Sequence, residues 1–113
     1  MWTEFANHSD EAVTLEMLAS FALQDVEADA IYRLQSFWSA EGKLRRETVY
    51  DLHLEPSWSG HGVRAERFGT VGSMPVRKYF PFLALEDSRT GHVTAIQLYV
   101  GASWQMEVSC REK

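Results

Sequence analysis

Asp51, His53 and Glu55 stand at i, i+2 and i+4, so a β-strand through them would present two carboxyls and an imidazole on one face. Three such groups could act as an acid/base cluster or as metal ligands. The plainer reading is a solvated strand face opposite Leu52 and Leu54, which is what a half-buried strand carries. The four histidines, His8, His53, His61 and His92, match no metal-ligand spacing such as two residues one helical turn apart. No metal and no cofactor is therefore expected. His61 lies between Gly60 and Gly62, where the backbone can approach a ligand closely. Gly69 and Gly72 lie in no strand-glycine-helix arrangement that would cradle a phosphate, and no serine lies in a nucleophile elbow. Cys110 sits beside Arg111 and Glu112 without an activating partner and reads as structural. Trp38, Trp58 and Trp104 could serve as sugar platforms, although burial in a sandwich core is the commoner fate of such residues.

Composition narrows the classes further. The chain has 113 residues, 45% hydrophobic and 24% charged, with four Trp, four Tyr and six Phe. That is one globular domain, not a disordered chain. The net charge of −5 offers a polyanion nothing, and the densest basic cluster (Lys43, Arg45, Arg46) is flanked by Glu41 and Glu47, so no nucleic-acid partner is expected. One cysteine excludes an internal disulfide and a cysteine-cluster zinc site. It suits a reducing cytoplasm. Met1 is followed at once by Trp2, Thr3 and Glu4, which reads as no signal peptide, and no stretch reaches the length of a membrane span.

The elements that must position these residues read mainly as strands. Val13, Leu15, Met17, Ala19, Phe21 and Leu23 are all odd-numbered, with Thr14, Glu16, Ser20 and Gln24 between them. The alternation suggests a half-buried strand. The richness in Leu, Met, Ala and Glu, with Ser9 as an N-cap, leaves a helix equally open from pattern alone. Residues 31–38 are β-branched and aromatic, and Glu41-Gly42 makes a turn. Thr48 to Leu54 alternates and is stopped by Pro56. Residues 57–78, with Gly60, Gly62, Gly69, Gly72 and Pro75, read as a long loop of the kind that is usually functional. Strands are expected over Tyr79–Glu86, His92–Val100 and Ser103–Arg111, the first two joined by a turn at Asp87–Gly91. The fold class is all-β, an antiparallel β-sandwich.

A resemblance spans nearly the whole chain. Asn7-His8-Ser9 with Val13 to Leu18, Trp38 to Gly42, and Asp51 to Trp58 come first. Phe68-Gly69 with Gly72 to Arg77, Phe80-Pro81-Phe82 with Glu86-Asp87, and Ser103 to Val108 follow in order. Together they resemble the N-terminal β-sandwich (supersandwich) domain of the family 36 glycoside hydrolases, the alpha-galactosidases. One stretch, Val93 to Leu98, departs from the family pattern, being shorter and lacking its aromatic. The resemblance implies strands over 11–38 and reads residues 1–113 as a fragment of that domain, with the catalytic barrel absent. It also implies a parent enzyme that removes terminal alpha-linked galactose from oligosaccharides with retention, using two barrel aspartates. None of this chain's residues matches those aspartates, so the chain alone is expected to be inactive. The parents are metal-independent and often oligomeric, which makes the barrel, the oligosaccharide and a second copy the implied partners. Trp58, His61, Arg64 and Arg67, with Arg77, combine aromatic faces and cationic donors in the 57–78 loop and are the candidate substrate-binding residues. A free-standing carbohydrate-binding sandwich is the alternative.

Overall fold

The computed structural model describes residues 2–37, 39, 41–55, 64–72, 76–99 and 101–110. Six strands form: β1 (Ala30–Gln35), β2 (Lys43–Thr48), β3 (Arg64–Thr70), β4 (Phe82–Asp87), β5 (His92–Gln97) and β6 (Trp104–Cys110). They build two antiparallel sheets, one ordered β2-β1-β4-β5 and one of β3 paired with β6. The described residues contain no helix, and the all-β expectation holds.

Each hairpin closes for a local reason. Gly42 takes φ +71° between β1 and β2, and its N–H donates to the Gln35 carbonyl at 2.8 Å. Between β4 and β5, the Asp87 carboxylate accepts from the Arg89 N–H and the Thr90 hydroxyl, and Gly91 at φ +75° completes the turn. The chain crosses from β2 to β3, returns to set β4 beside β1, and crosses again to place β6 beside β3.

The inner faces meet over Ile31, Leu54, Phe68, Leu83, Trp104 and Met106. Phe68 packs edge-on against Trp104 and Tyr79, with ring centroids 5.7 and 5.5 Å apart. Trp104 thus takes the core role rather than that of a sugar platform. Among these apolar groups lies the Arg33 side chain, 3% exposed. Its Nε and Nη2 both donate to Glu47 Oε2, and its Nη1 donates to Glu66 Oε1 at 2.7 Å. The guanidinium also lies 4.7 Å from the Tyr79 ring centroid and 5.2 Å from that of Phe68.

Three sequence expectations need correction. Residues 11–29 form no strand: Val13, Leu15, Met17, Phe21 and Leu23 are all exposed. The segment instead doubles back at Asn7–Glu11, where Asn7 Nδ2 donates to the Glu11 carbonyl at 2.7 Å, and Thr3 Oγ1 donates to the carbonyls of Ala19 and Ser20. Alternation prepares a strand face, but a strand also needs an edge to pair with, and this segment makes no backbone ladder.

The alternation from Thr48 to Leu54 does not continue as a strand either. Thr48 N–H donates to Asp51 Oδ2 at 2.8 Å, and Asp51 N–H donates back to Thr48 Oγ1 at 3.1 Å. This reciprocal pair winds residues 49–53 into a turn, ending with His53 at φ +53° and Leu54 buried.

Finally, the span read as a loop over 57–78 contains β3. Its Gly69 is a packing requirement and not a loop marker. A Cβ there would meet the Trp104 carbonyl oxygen at 2.1 Å and Gln105 Cα at 2.9 Å. Gly69→Ala is therefore expected to force β3 from β6 and to cost about 1–3 kcal/mol. A urea titration of the two proteins checks this, and an unchanged midpoint would refute the close approach.

Candidate functional site

The strand that would have set Asp51, His53 and Glu55 on one face is replaced by the turn over 49–53. Asp51 bonds Thr48, while the Glu55 Oε1 atom lies 3.9 Å from Arg64 Nη1. Arg64 also donates to the His53 carbonyl at 3.2 Å. Among the described residues no group of three His, Cys, Asp or Glu is placed to hold a metal. Cys110 lies opposite Arg64 in the β3–β6 register. Burial, and then the charge of Glu55, push its thiol up, which leaves it a protonated packing group rather than a nucleophile.

Of the residues expected to bind substrate, Trp58 and His61 lie outside the described residues, as does Trp38. Arg64 and Arg67 are both on β3 but three apart, so the strand's alternation sends them to opposite faces. Arg67 pairs with Glu107 across the ladder on the exposed side. The two arginines therefore do not converge.

Convergence occurs instead at the other end of β3, about 20 Å from Arg64 at 3.3 Å per residue. A cleft of about 670 Å³ is lined by Gln35 and Phe37 after β1, Gly69, Thr70 and Val71 at the end of β3, and Arg77 and Lys78. Its walls are held by backbone. Ser36 N–H donates to the Lys78 carbonyl at 2.8 Å, Phe80 N–H to the Leu34 carbonyl at 2.9 Å, and Gln35 bridges to Tyr79. Gly72 N–H donates to Ser103 Oγ at 2.9 Å and ties the end of β3 to the start of β6.

Thr70, paired with Trp104, is buried, and its Oγ1 has no hydrogen-bond partner among the described residues. Phe37, Val71, Arg77 and Lys78 are exposed, and neither cation forms an ion pair among the described residues. Arg77 was legible as a loop cation. Gln35, Phe37, Thr70 and Lys78 were not, because the orphaned hydroxyl arises only when β3 docks beside the end of β1. No family model, curated protein or solved structure matches this chain.

Four carboxylates, Asp29, Asp51, Glu86 and Asp87, are bonded to neighbouring groups that favour the charged form. The hydroxyl of Ser88, and then its N–H, lower Asp29; the Thr48 N–H and hydroxyl lower Asp51. Tyr32, and then Arg46, lower Glu86, and the Thr90 hydroxyl lowers Asp87. A group whose folded pKa is depressed stabilises the fold above its unfolded pKa and loses that contribution as pH falls through the folded value. The urea midpoint should thus be lower at pH 3 than at pH 6, with the loss beginning below about pH 4 where free carboxyls protonate. Equal midpoints at pH 3 and pH 6 would contradict these assignments.

Proposed function

We propose that this chain is a non-catalytic β-sandwich module, the accessory N-terminal domain of an alpha-galactosidase-type glycoside hydrolase, which another protein body covers. One observation carries the need for a cover. The chain exposes 9115 Å², whereas a compact protein of 12.9 kDa would expose about 6,300 Å². Its radius of gyration is 16.4 Å, against about 13 Å for a compact domain of this length. Large apolar side chains are exposed along the N-terminal arm: Trp2, Phe5, Val13, Leu15, Met17, Leu18, Phe21 and Leu23.

The resemblance of six ordered segments names that cover as the catalytic barrel of the parent, cytoplasmic enzyme. A second copy is the further implied partner, and an alpha-galactoside oligosaccharide reaches the module through the parent. The carboxylates support a non-catalytic role. A retaining glycosidase needs a nucleophile and a general acid with raised pKa about 5 Å apart. Four of the 16 carboxylates, Asp29, Asp51, Glu86 and Asp87, are instead shifted down and bonded to neighbours. Among the described residues no helix is long and apolar enough to cross a membrane. A free-standing carbohydrate-binding sandwich is the second reading, favoured by Phe37 standing 64% exposed at the cleft.

The purified chain should give no turnover of an aryl alpha-galactoside. Turnover that Asp51→Asn or Glu55→Gln abolishes would make the chain itself an enzyme. The coding DNA read beyond Lys113 tests the parent directly: an open frame into a barrel-sized region supports it, and an immediate stop codon overturns it.

A further inference from the structure

The cleft at the end of β3 combines four features that separately have plain explanations. Thr70, which lines it, carries a buried hydroxyl, Oγ1, with no partner among the described residues. A buried hydroxyl left unpaired is costly, and native structures usually satisfy such groups. Two exposed cations, Arg77 and Lys78, line the cleft; among the described residues neither forms an ion pair and no carboxylate lines it, although Lys78 Nζ lies 5.5 Å from the Tyr79 ring centroid. Phe37, a further lining residue, is 64% exposed. The Gln35 amide adds a further donor and acceptor.

From this combination we infer that the cleft binds a small hydroxylated anion, an acidic or phosphorylated sugar. The ring lies on Phe37, the charged group sits at Arg77 and Lys78, and a ring hydroxyl meets Thr70 and Gln35. The volume of about 670 Å³ suits a ligand of that size. An arginine presents paired N–H donors to a carboxylate or a phosphate equally well, which is the chemistry the two ligand types share. A neutral sugar leaves both cations unused, and a bare anion leaves the ring and the hydroxyl unused. The inference does not depend on a parent glycosidase. A chain with no barrel partner still has this cleft.

Thr70 separates a ligand group from a structural one. Thr70→Val keeps the shape, suits a strand, and removes a hydroxyl that has no partner among the described residues. It should leave the unfolding midpoint unchanged or raised while weakening binding about fivefold. A structural threonine would instead lose stability on the same change.

Calorimetric titration of the full chain with glucuronate, glucose 6-phosphate, glucose and inorganic phosphate tests the inference. At least one of the two anionic sugars should bind tenfold or more tightly than both glucose and phosphate, and which of the two binds more tightly identifies the anionic group. Arg77→Ala should cost tenfold or more of that affinity without lowering the unfolding midpoint. The inference is overturned by any of four results: no binding of either anionic sugar, equal affinity for glucose or for phosphate, unchanged affinity in both variants, or destabilisation by Thr70→Val.

Discussion

The two sheets of this protein are held to one another around a buried cation, Arg33, the one such group among the described residues. Arg33 lies on the inner face of β1, where Ile31 precedes it and Gln35 follows it. It reaches Glu47 on the neighbouring β2 and Glu66 on β3 of the opposite sheet. Burial disfavours its charge, but the hydrogen bonds to Glu47 and Glu66 outweigh this and hold the guanidinium firmly charged. The rings of Phe68 and Tyr79 flank it and supply the remaining contacts. A charge taken out of water is tolerated only when paired and bonded in this way. With two carboxylates from two sheets, the pairing also fixes how far apart those sheets stand.

That constraint matters because β3 and β6 are only two strands. A two-stranded ladder is marginal in water and needs packing against other elements. Phe68, Trp104 and Met106 supply the apolar part of that packing, and the Arg33–Glu66 bond supplies the directional part. The polarity then grades along the sandwich. From Ile31 the inner face of β1 passes through Arg33 to Gln35, and that of β3 passes from Phe68 to Thr70. The same docking that buries the core therefore leaves a polar end, and the cleft is that end.

Legibility from the sequence followed how local the determining interactions are. The β4–β5 hairpin was readable because Asp87, Thr90 and Gly91 close it among themselves. Alternation over Thr48–Leu54 points to a strand, but it carries no sign of the Thr48–Asp51 side-chain exchange that makes a turn there. For Val13–Leu23 the pattern is present, but a period-2 face records what a partner would bury and carries no information on whether an edge is available. Gly69 looked like a loop glycine because the Trp104 backbone that crowds it lies 35 positions away. Arg33 carried one usable sign, a charged residue in register with Ile31 on the face that a strand over 31–38 would bury. Its partners at 47 and 66 had none.

The central claim, that the Arg33 bridge couples the sheets, is tested most directly by a double-mutant cycle. Arg33→Met removes the cation that Glu47 and Glu66 share and should cost about 3–5 kcal/mol in urea unfolding. Combined with Glu66→Gln, the two changes should be non-additive by about 0.5–3 kcal/mol, since each removes the same bond between sheets. Strictly additive costs, or an Arg33→Met variant as stable as the unmutated protein, would show that the apolar core alone holds β3 and β6 in place.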